Sequence, residues 1–202
     1  SLTAVLLPTT QARGVTTGFG AATLQLNDDL PGVDATESLT LVLVPDMDGP
    51  ARRQLFRALE GRRSWVGPSR PWADAKLSYQ RATTARRLVP TGAAEVIDTD
   101  EHLVELVLGA DRDAIDDLRR RVLAPLGQLR PGTAANLAAT LRSWLLHQGH
   151  RDAVAADLFV HAQTVRYRMT QLRELYGDAL DDPRTILELT VALGVPETSD
   201  PD

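Results

Sequence analysis

Apolar positions along the chain follow two kinds of pattern. Residues 2–7 and 39–44 are short apolar runs bounded by turn residues, which predicts buried strands paired in one sheet. Asp48-Gly49-Pro50 then opens a helix from Ala51 to about Leu59 that Gly61 closes, because proline suits a helix start and glycine a helix end. A strand over residues 64–67 follows. Between Trp72 and Leu88, Ala73, Leu77, Ala82, Ala85 and Leu88 recur at helical spacing alongside Tyr79, and Pro90 ends the helix. Residues 94–97 read as a last strand, Asp100 as the cap of a helix over 101–108, and Asp111 as the cap of one over 112–123. Residues 10–34 are rich in Gly, Thr and Asp, alternate only over 22–26, and yield no assigned element.

Beyond Leu129-Arg130-Pro131-Gly132 the pattern is helical throughout. A helix over 133–148 carries Leu137, Leu141, Trp144 and Leu145 on one face and stops at Gly149. A short helix over 152–158, four non-helical residues from Phe159 to Ala162, and a longer helix over 163–176 ended by Gly177 come next. Asp182 and Pro183 start a final helix through Leu193. The predicted organisation is an α+β N-terminal domain over 1–130 followed by an all-α helix-turn-helix domain over 131–202.

Composition narrows the classes. At 43% hydrophobic and 24% charged over 202 residues the chain is of folded type. It has no cysteine, which excludes a disulfide scaffold, a zinc ribbon and thiol catalysis. The longest apolar stretch stops at Pro45, far short of the roughly 20 residues that a membrane helix needs. No basic and apolar leader opens the sequence, so the expected location is the cytoplasm, and a start without Met leaves room for a sensor domain upstream. A net charge of −5 argues against a protein that coats polyanions generally, so any nucleic-acid contact must be local.

The helix pair 152–158 and 163–176, with its tight turn, has the form of a helix-turn-helix unit whose second helix enters a major groove. At 100° per residue, Val165, Met169, Leu172 and Tyr176 share a narrow apolar face that must pack inward. Gln163, Thr164, Arg166, Tyr167, Thr170 and Gln171 are left facing outward, flanked by Arg168 and Arg173, with His161 at the N-cap. Gln163, Thr164 and Tyr167 lie in the half that reaches bases; Arg166, Arg168 and Arg173 suit phosphates. A helical hairpin with a solvated polar face has the same periodicity, so periodicity alone leaves both readings open.

The run from Asp152 to Met169, with Leu172, Glu174, Leu175, Gly177 and Leu180-Asp-Asp-Pro183, resembles the C-terminal helix-turn-helix domain of the PucR/CdaR family of bacterial transcription regulators. Ala155, Ala156, the Leu-Phe-Val-His run through Phe159, Thr164, Tyr167 and Arg168 meet the family pattern. Ala162 and Gln163 depart from it, standing where Arg and Asn are usual, which removes one phosphate contact and alters one base contact. Upstream, Trp65-Val-Gly-Pro-Ser-Arg, Leu77-Ser-Tyr-Gln-Arg-Ala82 and Ala85-Arg-Arg-Leu88 are more loosely similar to the GGDEF-like domain that precedes that motif in the family. Asp34-Ala-Thr-Glu-Ser38 lacks the glycine pair a nucleotide cyclase uses to approach a triphosphate, which implies a non-catalytic domain serving dimerisation or signal relay.

Other groupings have simpler explanations. Ten basic residues between 51 and 90 face only Glu60 and Asp74, and read as a solvated surface balanced by acids elsewhere in the fold. His147, His150 and His161 form a poor metal set. Asp46 and Asp48, and Asp98, Asp100 and Glu101, sit beside helix starts, where capping accounts for them. Six arginines against ten acids over 133–202 leave the helical domain acidic, although residues 150–176 alone hold four arginines against three acids. The resulting expectation is a sequence-specific DNA-binding regulator. It is a homodimer on double-stranded DNA, without catalytic residues, cofactor, metal or membrane partner, and its small-molecule effector would act through a domain outside this chain. The alternative is a metabolite- or nucleotide-binding sensor whose helical domain is a protein-interaction module. An active cyclase is a third, disfavoured by the missing glycine hairpin.

Overall fold

The structure is a computed structural model that describes residues 1–27, 29–34 and 36–194. The acids Glu197, Asp200 and Asp202 of the tail therefore lie outside the described residues. Two compact units divide the chain, Ser1–Val107 and Leu108–Asp202.

The first unit is built on a five-stranded sheet among the described residues. Its strands are β1 (Leu2–Pro8), β2 (Leu24–Leu26), β3 (Leu39–Pro45), β4 (Ser64–Val66) and β5 (Val96–Asp98), in the order β2-β3-β1-β4-β5. β1 is antiparallel to both β3 and β4, β2 is antiparallel to β3, and β4 runs parallel to β5. Helix α1 (Pro50–Leu59) covers one face of the sheet through Leu55 and Leu59 against Val5, Leu7, Val42, Val44 and Val66. Helix α2 (Ala75–Leu88) covers the other through Tyr79, Ala82 and Ala85 against Ala4, Leu6, Leu41 and Trp65. Both faces being buried is why β1 and β3 read as continuous apolar runs rather than alternating ones.

Local chemistry fixes these contacts. Gly67 has no side chain because a Cβ there would lie 2.3 Å from the Ser78 carbonyl oxygen of α2. The Ala4 N–H donates to Ser78 Oγ at 2.9 Å, and Tyr79 donates its hydroxyl to the Pro31 carbonyl at 2.8 Å. Three arginines of the basic stretch find acids elsewhere in the unit: Arg52 pairs with Asp98 at 2.5 Å, Arg81 with Asp100 at 3.1 Å, and Arg86 with Glu37. Asp46 and Asp48 hold Ser1, through its amino group and its hydroxyl. The cap expected at Asp100 is moved. Asp98 accepts from the Asp100 N–H at 3.1 Å to start a short 3-10 turn, Thr99–Glu101, while the Asp100 carboxylate faces Arg81 and Arg52. Helix α3 (Leu103–Leu108) follows. Strand β2 lies in the stretch that gave no assigned element, and all three of its residues are exposed.

The second unit is helical, with α4 (Arg112–Val122), α5 (Pro131–Leu146), α6 (Arg151–Asp157), α7 (Ala162–Tyr176) and α8 (Pro183–Gly194). Asp111 caps α4 as expected, accepting from the Ala114 N–H at 3.0 Å. The sequence boundary near residue 130 assigned α4 to the N-terminal domain, whereas the division falls before it, at Val107/Leu108. The reason is packing: Val122, with Leu118 and Leu123 against it, joins the core of Leu137, Leu141, Val154, Val165, Met169, Leu172 and Leu189. Arg119 Nε donates to the Ala192 carbonyl and Arg142 Nε to the Leu193 carbonyl, each at 3.0 Å, so two arginines satisfy the end of α8.

Candidate nucleic-acid interface

The turn between α6 and α7 is fixed by its hydrogen bonds. The Phe159 N–H donates to the Ala156 carbonyl and the Val160 N–H to the Ala155 carbonyl at 3.0 Å, the paired bonds that close a helix through a left-handed residue. That residue is Phe159, at φ +54°, and its side chain is 96% exposed. Val160 turns back onto the helical core, which sets the angle at which α7 leaves. His161 occupies the N-cap with extended backbone (φ −72°, ψ 145°), but its imidazole makes no capping bond. The helix begins at Ala162, one residue before the expected start.

Along α7 the apolar face is the expected one: Val165, Met169 and Leu172 are buried, and Tyr176 is half-buried. Tyr176 donates its hydroxyl to the Val122 carbonyl at 3.0 Å, and burial pushes its pKa up to about 12. His161, Gln163, Arg166, Tyr167, Thr170 and Arg173 are exposed. Gln163, Tyr167 and Thr170 stand at i, i+4 and i+7, one stripe of a helix; Arg166, Thr170 and Arg173 repeat that spacing as a second, adjoining stripe. Gln171, partly buried, donates from Nε2 to the Tyr167 hydroxyl at 3.2 Å and steadies the ring. The Thr170 hydroxyl bonds back to the Arg166 carbonyl at 3.1 Å. Thr164 is also partly buried.

Arg168 differs from the rest of the expected set. Its guanidinium donates to Thr140 Oγ1 at 3.2 Å and Asn136 Oδ1 at 3.3 Å, both on α5, so this side chain ties α7 to the helix behind it. Trp144, which the pattern put on the core face of α5, is half-buried and carries Arg173 over its ring at 5.8 Å. Arg151, at the first position of α6, was outside the expected set; one exposed arginine on a seven-residue helix leaves no periodic trace. His147 faces Asp157 at 3.7 Å, and Ser143 donates to that carboxylate at 2.6 Å. Among the described residues no group of three or more His, Cys, Asp or Glu side chains is placed to hold a metal ion, and no helix is long and apolar enough to cross a membrane.

Residues 137–195, which contain this turn and both its helices, match the PucR C-terminal helix-turn-helix domain. The chain belongs to the PucR helix-turn-helix family. The protein of the pkwA 5′ region of Thermomonospora curvata is 32% identical over 126 residues, 62% of this chain and 67% of that protein. A protein of Mycobacterium tuberculosis and one of Mycobacterium bovis are each 32% identical over 139 residues, which is 67% of this chain. The match spans 33% of those mycobacterial proteins' length. A regulator of polyketide synthase expression from Bifidobacterium adolescentis superposes with a TM-score of 0.40 at 21% identity, over 96% of this chain and 83% of that one, a likeness too remote to bear on fold or function. The matched residues 137–195 include α6, α7 and the turn between them, and Gln163, Tyr167 and Thr170 are exposed along α7.

Proposed function

We propose that this chain is the DNA-binding part of a bacterial, cytoplasmic transcriptional regulator that acts as a homodimer on a two-fold operator, with α7 in the major groove. One observation carries the reading: within a PucR-type helix-turn-helix, the second helix presents exposed Gln163, Tyr167 and Thr170 in line, beside exposed Arg166 and Arg173. Amide, phenol and hydroxyl groups suit base edges, and guanidinium groups suit phosphates. His161, Thr164 and Gln171 border that face and complete the contact set, while Arg168 acts chiefly by holding the helix.

The first unit is the dimerisation or relay domain, of the degenerate GGDEF-like kind, without catalysis. The approach of Gly67 to Ser78, and the burial of Tyr79, Ala82 and Ala85 beneath the sheet, support that reading, since these are residues on which the resemblance rests. An effector would bind a domain outside this chain. The helical domain is acidic overall, so a single copy binds weakly, and linking two half-sites supplies affinity through effective concentration.

The experiment is a titration of a fluorescent random-sequence duplex pool with the full chain at several salt concentrations. Binding that weakens linearly on a log–log plot, by about 0.9 per phosphate neutralised, is the expected result. No binding at low salt would overturn the proposal.

A further inference from the structure

A depression of about 470 Å³ opens beside α7 in the second unit, and basic side chains surround it. Arg151 of α6 and Arg166 and Arg173 of α7 line it, together with His150, Trp144 and a single acid, Asp152. Several other arginines of this unit are held: Arg120, Arg121 and Arg184 are ion-paired, and Arg142 and Arg168 bond to backbone or side-chain oxygens, whereas Arg112 and Arg130 stand away from the depression without such partners among the described residues. Arg151, Arg166 and Arg173 have no ion pair or side-chain hydrogen bond among the described residues. Arg173 instead lies over the face of Trp144 at 5.8 Å. A cation–π contact of this kind uses no N–H···O hydrogen bond, so the guanidinium keeps N–H groups able to donate to an oxyanion. Three unpaired guanidinium groups around one pocket repel each other, and an oxyanion that several of them can share removes that repulsion.

From this arrangement we infer that the Trp144 depression is a phosphate-binding site that anchors the DNA backbone at the flank of α7, with Arg151, Arg166 and Arg173 as donors. The inference rests on the DNA-binding reading and extends it to Arg151 and to Trp144, the latter as the platform that positions Arg173. Chain geometry favours a backbone phosphate as the occupant. Arg166 and Arg173 form a stripe adjoining the one with Gln163 and Tyr167, so a strand bordering a groove occupied by α7 passes over the depression.

The test uses the full chain and variants Arg151→Ala and Arg166→Ala, both exposed positions, with Arg173→Gln as a third. Each is measured against random and enriched duplexes across a salt series, with thermal unfolding as the control for folding. The expected result is a log–log salt slope smaller in magnitude by about 0.9 for each variant, with affinity falling by the same factor on both duplexes. An unchanged slope in correctly folded Arg151→Ala and Arg166→Ala overturns the inference, as does a loss confined to the enriched duplex, which would make these base contacts. Absence of any duplex binding by the unsubstituted chain is a different outcome, striking the DNA reading beneath it. Inorganic phosphate at constant ionic strength is a second arm. A saturable thermal shift that Arg151→Ala abolishes, with DNA slopes unchanged, would assign the site to a free phosphorylated molecule and overturn the backbone assignment.

Discussion

Tyr167 and Arg168 are neighbours in sequence with opposite surroundings. Tyr167 is 63% exposed, and among the described residues its hydroxyl meets only Gln171 of its own helix. Arg168 is partly buried and donates to Thr140 and Asn136 across the α5–α7 interface. Tyr167→Ala should therefore leave thermal unfolding within about 0.5 kcal/mol of the parent while removing roughly 1–3 kcal/mol of discrimination between duplexes. Arg168→Ala should lower stability by about 1–3 kcal/mol, because it strips two oxygens on α5 of a charged donor; chemical denaturation of the two variants side by side separates the roles. Tyr176 makes a prediction in pH. Its pKa rises from 10.0 to about 12 through burial, so the folded state holds the phenolic proton more tightly than the unfolded chain does. The associated stability is fully present below pH 10 and is lost as pH rises from 10 through 12. Lys76 is the sole lysine, so few other groups titrate in that window. Denaturation midpoints measured between pH 9 and 12 (roughly the span of the two pKa values) should fall less steeply in Tyr176→Phe than in the parent.

Two elements turn on single backbone positions. The left-handed conformation of Phe159 costs about 1–2 kcal/mol for a residue with a Cβ, and a ring that is 96% exposed returns no packing energy. Phe159→Gly should raise the unfolding temperature, with a net gain up to about 1 kcal/mol once the added chain entropy of glycine is subtracted. Gly67→Ala should do the reverse in the first unit, costing roughly 1–3 kcal/mol or more as α2 is pushed off the sheet; a melt no lower than the parent's would mean that Ser78 gives way. Elements were legible where burial imposes a period. Strands β1 and β3, helices α1 and α2, and the Val165–Met169–Leu172 face of α7 all follow from apolar spacing, since each must cover a core. What escaped lacks such a signal. Strand β2 is three exposed residues, and the apolar face of α4 looks the same whichever core receives it. The partners of Arg168 stand 28 and 32 residues away on another helix, and the cap passes from Asp100 to Asp98 only because folding brings Arg81 and Arg52 to Asp100.

For the whole molecule, charge sets the terms. A chain of net charge −5 has no general attraction for a polyanion, so the proposed duplex binding would have to come from the local face of α7 and from pairing of two copies. The proposed two-fold dimer would place equivalent helices about 34 Å apart, one turn of B-form DNA or a multiple of it, and its operator would carry the same symmetry. Residues 137–195 match the PucR helix-turn-helix domain, and the proposal that α7 is its reading helix is the step on which this depends. Selection of bound sequences from a random duplex library with the full chain tests it most directly. The expected result is enrichment of inverted half-sites at a fixed spacing of whole helical turns, lost when Tyr167 and Gln163 are both replaced by alanine. A bound pool indistinguishable from the input library would contradict it.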